Sequence, residues 1–257
     1  MIRDIKEPAG LDSVKCTVKN ICSEAAKYRF RHPASMIIYL NEKQGRSTVA
    51  EYITDMFFVH KVMDFSMSRS EFIELDFNGE YKQFNDCMKQ VNDAADYTND
   101  DKYSNVLVET GINNLSKHLG EQHVDDYLNH VETMSKTAVL VIFVSENPNS
   151  KESQLIDRIK EVLPFANIIK PHEYSVEDYC KVIKEKLCDY GVIVPKNTPL
   201  NEIVKKSMNK DKSFNMKDAC LIAEELFLGS KLVNGKLKVD VSAINSPKTD
   251  RVIGGKS

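Results

Sequence analysis

Hydrophobic residues along this chain follow two spacings that alternate from one segment to the next. Short, mostly apolar runs predict β-strands, and these lie at 36–40, 71–77, 105–109, 138–145 and 166–170. Apolar residues spaced three or four positions apart predict helices, and these lie at 8–30, 47–58, 81–92, 120–135, 152–162 and 176–190. Segments without either spacing, at 95–104 and 113–117, are predicted loops. This alternation indicates a parallel sheet covered by helices, with 138–145 in its centre.

The pattern changes after residue 194, where the strands stop. Helices at 200–208 and 215–228 are predicted to form a small all-helical lid. From Ser230 the chain is rich in Lys, Gly and Ser, and a short hairpin is predicted around Asn234-Gly235. The predicted organisation is an α/β domain over 1–194, a helical lid over 195–229 and a C-terminal tail over 230–257.

The junction between the first strand and the following helix carries the main candidate chemistry. A buried strand, a polar turn and a helix N-terminus are the layout of a phosphate-binding loop, in which backbone N–H groups meet the phosphates. The common motif G-x-x-x-x-G-K-[ST] is altered, because Leu40 and Lys43 occupy two usual glycine positions and Arg46 replaces the lysine. The candidate nucleotide-binding residues of this loop are Asn41, Lys43, Gly45, Arg46, Ser47 and Thr48, with Ser47 also the candidate Mg²⁺ ligand.

Composition and charge argue against several classes of protein. The 257-residue chain carries a formal net charge of −3 and 28% charged residues, which gives no support for general nucleic-acid or membrane binding. Its longest apolar run, at 137–145, is too short to span a bilayer, and the first residues lack the apolar core of a signal peptide. We therefore expect a cytoplasmic protein.

Cysteines and histidines each allow a structural and a chemical interpretation. The six cysteines lack a C-x-x-C spacing, so neither a disulfide framework nor a zinc knuckle is expected. Cys180 lies on an apolar helix stripe, which favours a core position over a catalytic thiol. His123, Asp126 and His130 share one face of a predicted helix, where a metal site is one interpretation and a solvated polar face is the favoured one.

Several motifs occur in the order seen in AAA+ ATPases. In detail the pattern resembles the CbxX/CfqX family, which includes stage V sporulation protein K and red-type rubisco activase. GLDSVK at 10–15 and RSTVA at 46–50 are similar to the family's G-L-x-x-V-K and K-T-T-V-A, and VLVIFVSENP at 139–148 matches the strand that carries sensor 1. FNMKDACLIAEEL at 214–226 stands where the family has its helical lid. The resemblance implies a three-layer, P-loop NTPase-like (AAA+) α/β domain with a parallel sheet, followed by the lid.

The resemblance also implies roles for individual residues. The family's catalytic Asp-Glu pair falls on Thr110 and Gly111 in the best register, and on Glu109 and Thr110 when the register shifts by one. Neither register supplies both carboxylates, which hold Mg²⁺ and orient the attacking water in the family. The remaining candidates are Ser145 or Asn147 for sensor 1, Tyr81 for the pore loop and Lys217 in the lid.

These departures set the functional expectation. No arginine finger is in register either, because the nearest cations are Arg158 and Lys160. We expect a catalytically inactive AAA+-like assembly or regulatory subunit, with ATP or ADP and Mg²⁺ bound weakly or not at all. The alternatives are an active ATPase that remodels proteins and a nucleotide sensor that binds without hydrolysis. The expected partners are copies of this chain or another AAA+ subunit, with no membrane and no clear nucleic acid.

Overall fold

The chain folds into two compact units, a first unit over Met1–Glu173 and a second unit over Tyr174–Ser257. The structure is a computed structural model, and it describes residues 5–28, 34–62, 72–78, 89, 106–119, 121–211 and 213–240. No helix within these ranges is long and apolar enough to cross a bilayer. The pore-loop candidate Tyr81, nearly all of the predicted helix at 81–92, the predicted loop at 95–104 and the tail beyond 240 lie outside the described residues.

The first unit alternates strands and helices as the hydrophobic pattern predicts. Its described elements are α1 (Asp12–Tyr28), β1 (Met36–Tyr39), α2 (Arg46–His60), β2 (Ile73–Asp76), β3 (Val106–Thr110), α3 (Ile112–His118), α4 (Glu121–Thr137), β4 (Val139–Val144), α5 (Ser150–Val162) and β5 (Asn167–Ile169). These strands form one parallel sheet in the order β2-β3-β4-β1-β5. The central position predicted for 138–145 is therefore confirmed, because β4 has strands on both sides.

The register of the sheet brings several strand ends together. Ile38 pairs with Phe143 between β1 and β4, and Asp76 pairs with Thr110 between β2 and β3. Successive residues of a strand project to opposite faces, and parallel strands all end at the same edge of the sheet. The segments that follow β1, β3 and β4 therefore lie close to one another.

Helices cover both faces of the sheet and complete three layers. On one face α3, α4 and α5 pack on the strands through an apolar core that includes Ile37, Tyr127, Val131, Ile142 and Ile159. The third layer contains α1 and α2, which pack against each other and carry the buried residues Val14, Val18, Ile21, Val49, Ile53 and Phe57. Every residue of β1, β3 and β4 is buried, which explains why these strands are mostly continuous apolar runs.

The prediction of a loop at 113–117 is wrong, because this segment belongs to α3. Two asparagines and a serine are weak helix formers, so the local sequence favours a loop. The helix forms because Ile112 and Leu115, three positions apart, are each only 1% exposed in the apolar core. Burial against the sheet thus outweighs local propensity at this position.

The second unit contains helices and one hairpin. Its described elements are α6 (Val176–Asp189), α7 (Leu200–Lys210), α8 (Met216–Leu228), β6 (Lys231–Val233) and β7 (Lys236–Lys238). Ser175 and Asp178 form a capping box at the start of α6. Asn234 and Gly235 have φ values of 53° and 72°, the positive values that a two-residue hairpin turn requires.

The helix α6 belongs to the second unit, whereas the sequence placed the domain boundary after residue 194. The reason is that α6 packs on α7 and α8 and buries its apolar stripe among their side chains. Cys180, predicted to be in the core, is 4% exposed in this cluster. Burial also raises the pKa of the Cys180 thiol, which favours the neutral form.

Candidate functional site

A cleft of about 370 Å³ opens where β1, β3 and β4 end in the first unit. Ligands of open α/β sheets bind at this edge, because loops and helix N-termini converge there. Four residues that the sequence singled out for nucleotide or sensor roles line the cleft, namely Asn41, Lys43, Arg46 and Ser145. Gly111, a candidate position for the catalytic Glu, also lines the cleft, and six further lining residues were not predicted from the sequence, namely Glu42, Asn78, Ile112, Asn113, Phe143 and Glu152.

The loop that leads into α2 forms one wall of the cleft. Lys43 and Gly45 both adopt positive φ, at 63° and 87°, and α2 begins at Arg46 without a side-chain cap. Ser47 and Thr48 lie in the first turn of α2 and are exposed, but they are not among the cleft-lining residues. The first turn of α2 therefore presents backbone N–H groups that no side chain caps.

Asn41 is fixed at the other end of this loop. Its Nδ2 donates to Glu146 Oε2 at 2.9 Å, and its Oδ1 accepts the Glu146 backbone N–H at 3.1 Å. Burial raises the pKa of Glu146, and the nearby Glu173 adds to this effect. These two bonds connect the end of β1 to the segment after β4.

Arg46 is folded back onto its own loop. Its Nε donates to the carbonyl oxygen of Leu40 at 2.7 Å, and its guanidinium carbon lies 5.8 Å from the centre of the Phe143 ring. Burial lowers the pKa of Arg46, while four carboxylates oppose this effect, namely those of Glu42, Glu152, Asp76 and Glu74. The guanidinium thus makes a hydrogen bond to the phosphate-loop backbone itself.

Glu109, a candidate catalytic residue, is fully buried and does not line the cleft. It accepts a hydrogen bond from the Tyr127 hydroxyl at 2.5 Å, and His130 Nε2 lies 3.2 Å from its other oxygen. Tyr127 and His130 belong to α4, so the carboxylate projects to the face that α4 covers. The structure thus brings Glu109 together with α4 and away from Arg46 and Lys43.

Thr110 and Gly111 occupy the end of β3 nearest the cleft. The Thr110 hydroxyl donates to Asp76 Oδ1 at 3.1 Å, on the neighbouring strand. Gly111 has φ of 75°, and a Cβ atom placed on it would lie 2.6 Å from the backbone nitrogen of Asn78. Asn114 supports this close approach, since its Nδ2 donates to the Phe77 carbonyl oxygen at 2.7 Å. The position after Thr110 therefore has no room for a side chain.

Glu152 is a buried carboxylate in the wall of the cleft. It is only 1% exposed, and its Oε1 accepts the backbone N–H of Ser145 at 2.9 Å. Its backbone N–H is in turn bound by Asn149, the N-cap of α5. The sequence contains a signal for this turn, because Asn149-x-x-Glu152 has the spacing of a capping box, but the Glu152 side chain turns to Ser145 instead.

The other candidate residues lie elsewhere. Asn147 is exposed and does not line the cleft, and Lys217 lies in the first turn of α8 in the second unit. Arg158 pairs with Asp125 at 2.6 Å, and Lys160 pairs with Asp157 at 2.9 Å, both on the surface of the first unit.

The predicted solvated face of α4 is wrong for His130, which is 8% exposed and contacts Glu109. On the same helix, His123 Nδ1 lies 3.5 Å from Asp126 Oδ2. Across the described part of the chain, no three His, Cys, Asp or Glu side chains are grouped so as to hold a metal ion.

Comparison with known proteins gives matches in structure and none in sequence. No protein-family profile matches this chain, and no curated protein does. Domain III of the replication initiation protein DnaA from Thermotoga maritima is 14% identical, with a TM-score of 0.58 over 93% of this chain and 91% of that one. The RuvB Holliday junction branch migration motor of the same organism gives 14% identity and a TM-score of 0.57, over 92% and 70% of the two chains.

A third match, PCH-2 of C. elegans, is 11% identical with a TM-score of 0.53, over 91% of this chain and 67% of that one. All three are AAA+ ATPases. This chain has the AAA+ fold. Within the AAA+ fold, residues of the loop at 41–46 and Gly111, which follows β3, line the same cleft. Identities this low identify the fold and leave the activity to be argued from the residues of the cleft.

Proposed function

We propose that this chain is a catalytically inactive AAA+-like subunit that acts in the assembly or regulation of other cytoplasmic proteins and binds ATP weakly or not at all. The observation that carries this proposal is the end of β3. Glu109 is bound to Tyr127 and His130 on the α4 side of the sheet. Gly111, in the best register for the catalytic Glu, has no space for a carboxylate.

ATP hydrolysis in this class of fold requires a carboxylate that holds Mg²⁺ and another group that orients the attacking water. Thr110 supplies a neutral hydroxyl that is already bonded to Asp76. Arg46 donates its Nε to Leu40, and the buried Glu152 carboxylate lies in the same cleft. These groups fit Mg-ATP poorly, since the phosphates meet a carboxylate and an arginine that is folded back on the loop.

The packing of both units supports a role that depends on the folded structure and not on catalysis. Each unit keeps a continuous apolar core, although the phosphate loop, the Asp-Glu pair and the arginine finger differ from those of the family that the sequence resembles. We therefore propose protein partners, either further copies of this chain or an active AAA+ subunit. Under this proposal nucleotide is not required for assembly.

A coupled phosphate-release assay on the purified full-length chain with Mg-ATP tests the proposal. We expect no release above that of a buffer blank, and the same molecular mass by light scattering with and without Mg-ATP. If release occurs and is abolished by Arg46→Ala or Ser47→Ala but not by Ser207→Ala in α7, the chain is an active ATPase and the proposal is overturned.

The uncapped first turn of α2 and the exposed Lys43 favour a nucleotide sensor as the second candidate. Isothermal titration calorimetry separates the two. A sensor gives Mg²⁺-dependent heat with ATP and no phosphate release, whereas the inactive subunit gives no heat at millimolar nucleotide.

A further inference from the structure

The cleft contains a buried acceptor that lacks a donor. Glu152 Oε1 accepts the Ser145 N–H, but Glu152 Oε2 has no hydrogen-bond partner among the described residues. A buried carboxylate oxygen without a donor is costly, and native proteins pair such groups with a side chain, water or ligand. Glu152 is one of the residues that line the cleft, so this acceptor lies in the wall of the cleft.

Charges of both signs surround this acceptor. The carboxylates of Glu42, Glu74 and Asp76, together with Glu152, all act on Arg46 through space. Lys43 and Arg46 are the cations that line the cleft. Two of these carboxylates, Glu42 and Glu152, line the cleft with the two cations, and Glu74 and Asp76 act on Arg46 from outside the lining, so the lining has no net positive charge to attract phosphates.

Arg46 does not satisfy Glu152 from within the chain. Its Nε is bonded to the Leu40 carbonyl oxygen, and within the described ranges no carboxylate lies close enough to form an ion pair with it. The guanidinium and the Glu152 carboxylate therefore line one cleft without touching. The cleft that both residues line has a volume of about 370 Å³.

We propose that this cleft binds a cationic group with N–H donors, a guanidinium or an ammonium, where active AAA+ proteins bind phosphates. Glu152 Oε2 accepts its hydrogen bond, and Glu42, Glu74 and Asp76 supply attraction at longer range. The inference rests on the proposed function in one respect, which is that no nucleotide occupies the cleft. The same chemistry is presented by a lysine or arginine on a partner protein and by a free polyamine.

Calorimetric titrations of the full-length chain test this inference with three small probes. Agmatine carries a guanidinium and an ammonium, tetramethylammonium carries charge without N–H donors, and inorganic pyrophosphate represents the phosphate alternative. We expect agmatine to bind, and tetramethylammonium and pyrophosphate not to bind. Loss of a charge-assisted hydrogen bond should weaken agmatine binding about tenfold in Glu152→Gln.

Two variants at exposed positions, which are not expected to disturb folding, complete the test. Glu42→Gln removes an exposed cleft charge and should weaken agmatine binding by roughly two- to fivefold. Glu132→Gln removes an exposed charge on α4, outside the cleft, and should leave agmatine binding unchanged. Equal affinities in wild type and Glu152→Gln, or binding of pyrophosphate but not agmatine, would overturn the inference.

A short peptide, acetyl-Gly-Arg-Gly-amide, distinguishes the two sources of the cation. Binding at least as tight as that of agmatine supports a side chain presented by a partner protein. Binding of agmatine alone supports a free polyamine. ATP turnover in the phosphate-release assay would overturn the proposed function, whereas absence of agmatine binding with no turnover would overturn this inference alone.

Discussion

Gly111 combines a positive φ with a close approach to the backbone of another segment. Its φ of 75° places it in a region that L-residues rarely adopt, and Asn78 fills the space where a Cβ atom would lie. Gly191 in the second unit has a similar φ of 72° but nothing within 4 Å of its Cβ position. Substituting alanine at Gly191 therefore measures backbone strain alone, whereas alanine at Gly111 adds a steric clash between its Cβ atom and Asn78.

We expect Gly111→Ala to destabilise the first unit by roughly 3 kcal/mol, because strain and overpacking add. Gly191→Ala should cost only about 1 kcal/mol, from strain alone. Urea unfolding followed by circular dichroism measures both. Equal costs would mean that the segment after β2 does not approach Gly111 as described.

At the scale of elements, a buried polar group connects β3 to α4. Glu109 accepts from Tyr127 and contacts His130, and all three side chains are buried. Such a group stabilises the fold only while its acceptors stay paired. The glutamate that resembles a catalytic residue in the sequence therefore has a structural role, holding a helix against the sheet.

We expect Tyr127→Phe to lower the free energy of unfolding by about 1–3 kcal/mol, because it removes the donor to a buried carboxylate. The same substitution in a Glu109→Gln background should cost less, so that a double-mutant cycle gives a coupling of about 1 kcal/mol or more. Tyr190→Phe, at a 39% exposed tyrosine, is the matched control and should have little effect. Additive effects of the two substitutions would contradict the assigned bond.

The hydrophobic pattern predicted most elements, and its failures have a common cause. The apolar run at 139–144 and the apolar stripes of α1, α2 and α5 were predicted correctly. In each of these segments the buried face alone determines the spacing of the hydrophobic residues. The helix α3 was missed because only packing against the sheet overcomes its asparagines. The site residue Glu152 was missed because its partner, Ser145, comes from the end of β4.

At the scale of the whole molecule, two buried groups of the first unit make its free energy of unfolding decrease at alkaline pH. Burial raises the pKa of the Cys22 thiol to about 12 and that of the Tyr52 hydroxyl to about 12. In the unfolded chain both groups ionise at lower pH, so the folded state binds more protons in this range. The free energy of unfolding is therefore fully retained below the unfolded pKa values and falls as the pH rises above them.

We expect Cys22 alone to remove roughly 3 kcal/mol of stability by about pH 11. Cys22→Ala should flatten the decline of unfolding free energy above about pH 9, and Tyr52→Phe should flatten it above about pH 10, whatever their effect at neutral pH. Exposed Cys188→Ala is the control and should leave the slope unchanged. Urea titrations at stepped pH provide the measurement, and parallel slopes for wild type and Cys22→Ala would disprove the link.

The sequence by itself determined the order of strands and helices along the chain, the central position of 138–145, the hairpin around Asn234-Gly235 and the location of the altered loop. Each of these is set by residues close together in the chain, through side-chain period, turn chemistry or helix capping. The strand that carries Glu109 was visible at this level, and so was the absence of a second carboxylate beside it.

Only the tertiary structure decided which groups face the cleft. Glu109 meets Tyr127 and His130 from 18 and 21 residues away, and Thr110 meets Asp76 from 34 residues away. A shift of one residue in a strand moves every side chain to the other face, so the chemistry of β3 depends on its register with β2 and β4. Local sequence patterns do not predict that register, because it is set by contacts between segments that are distant in the chain.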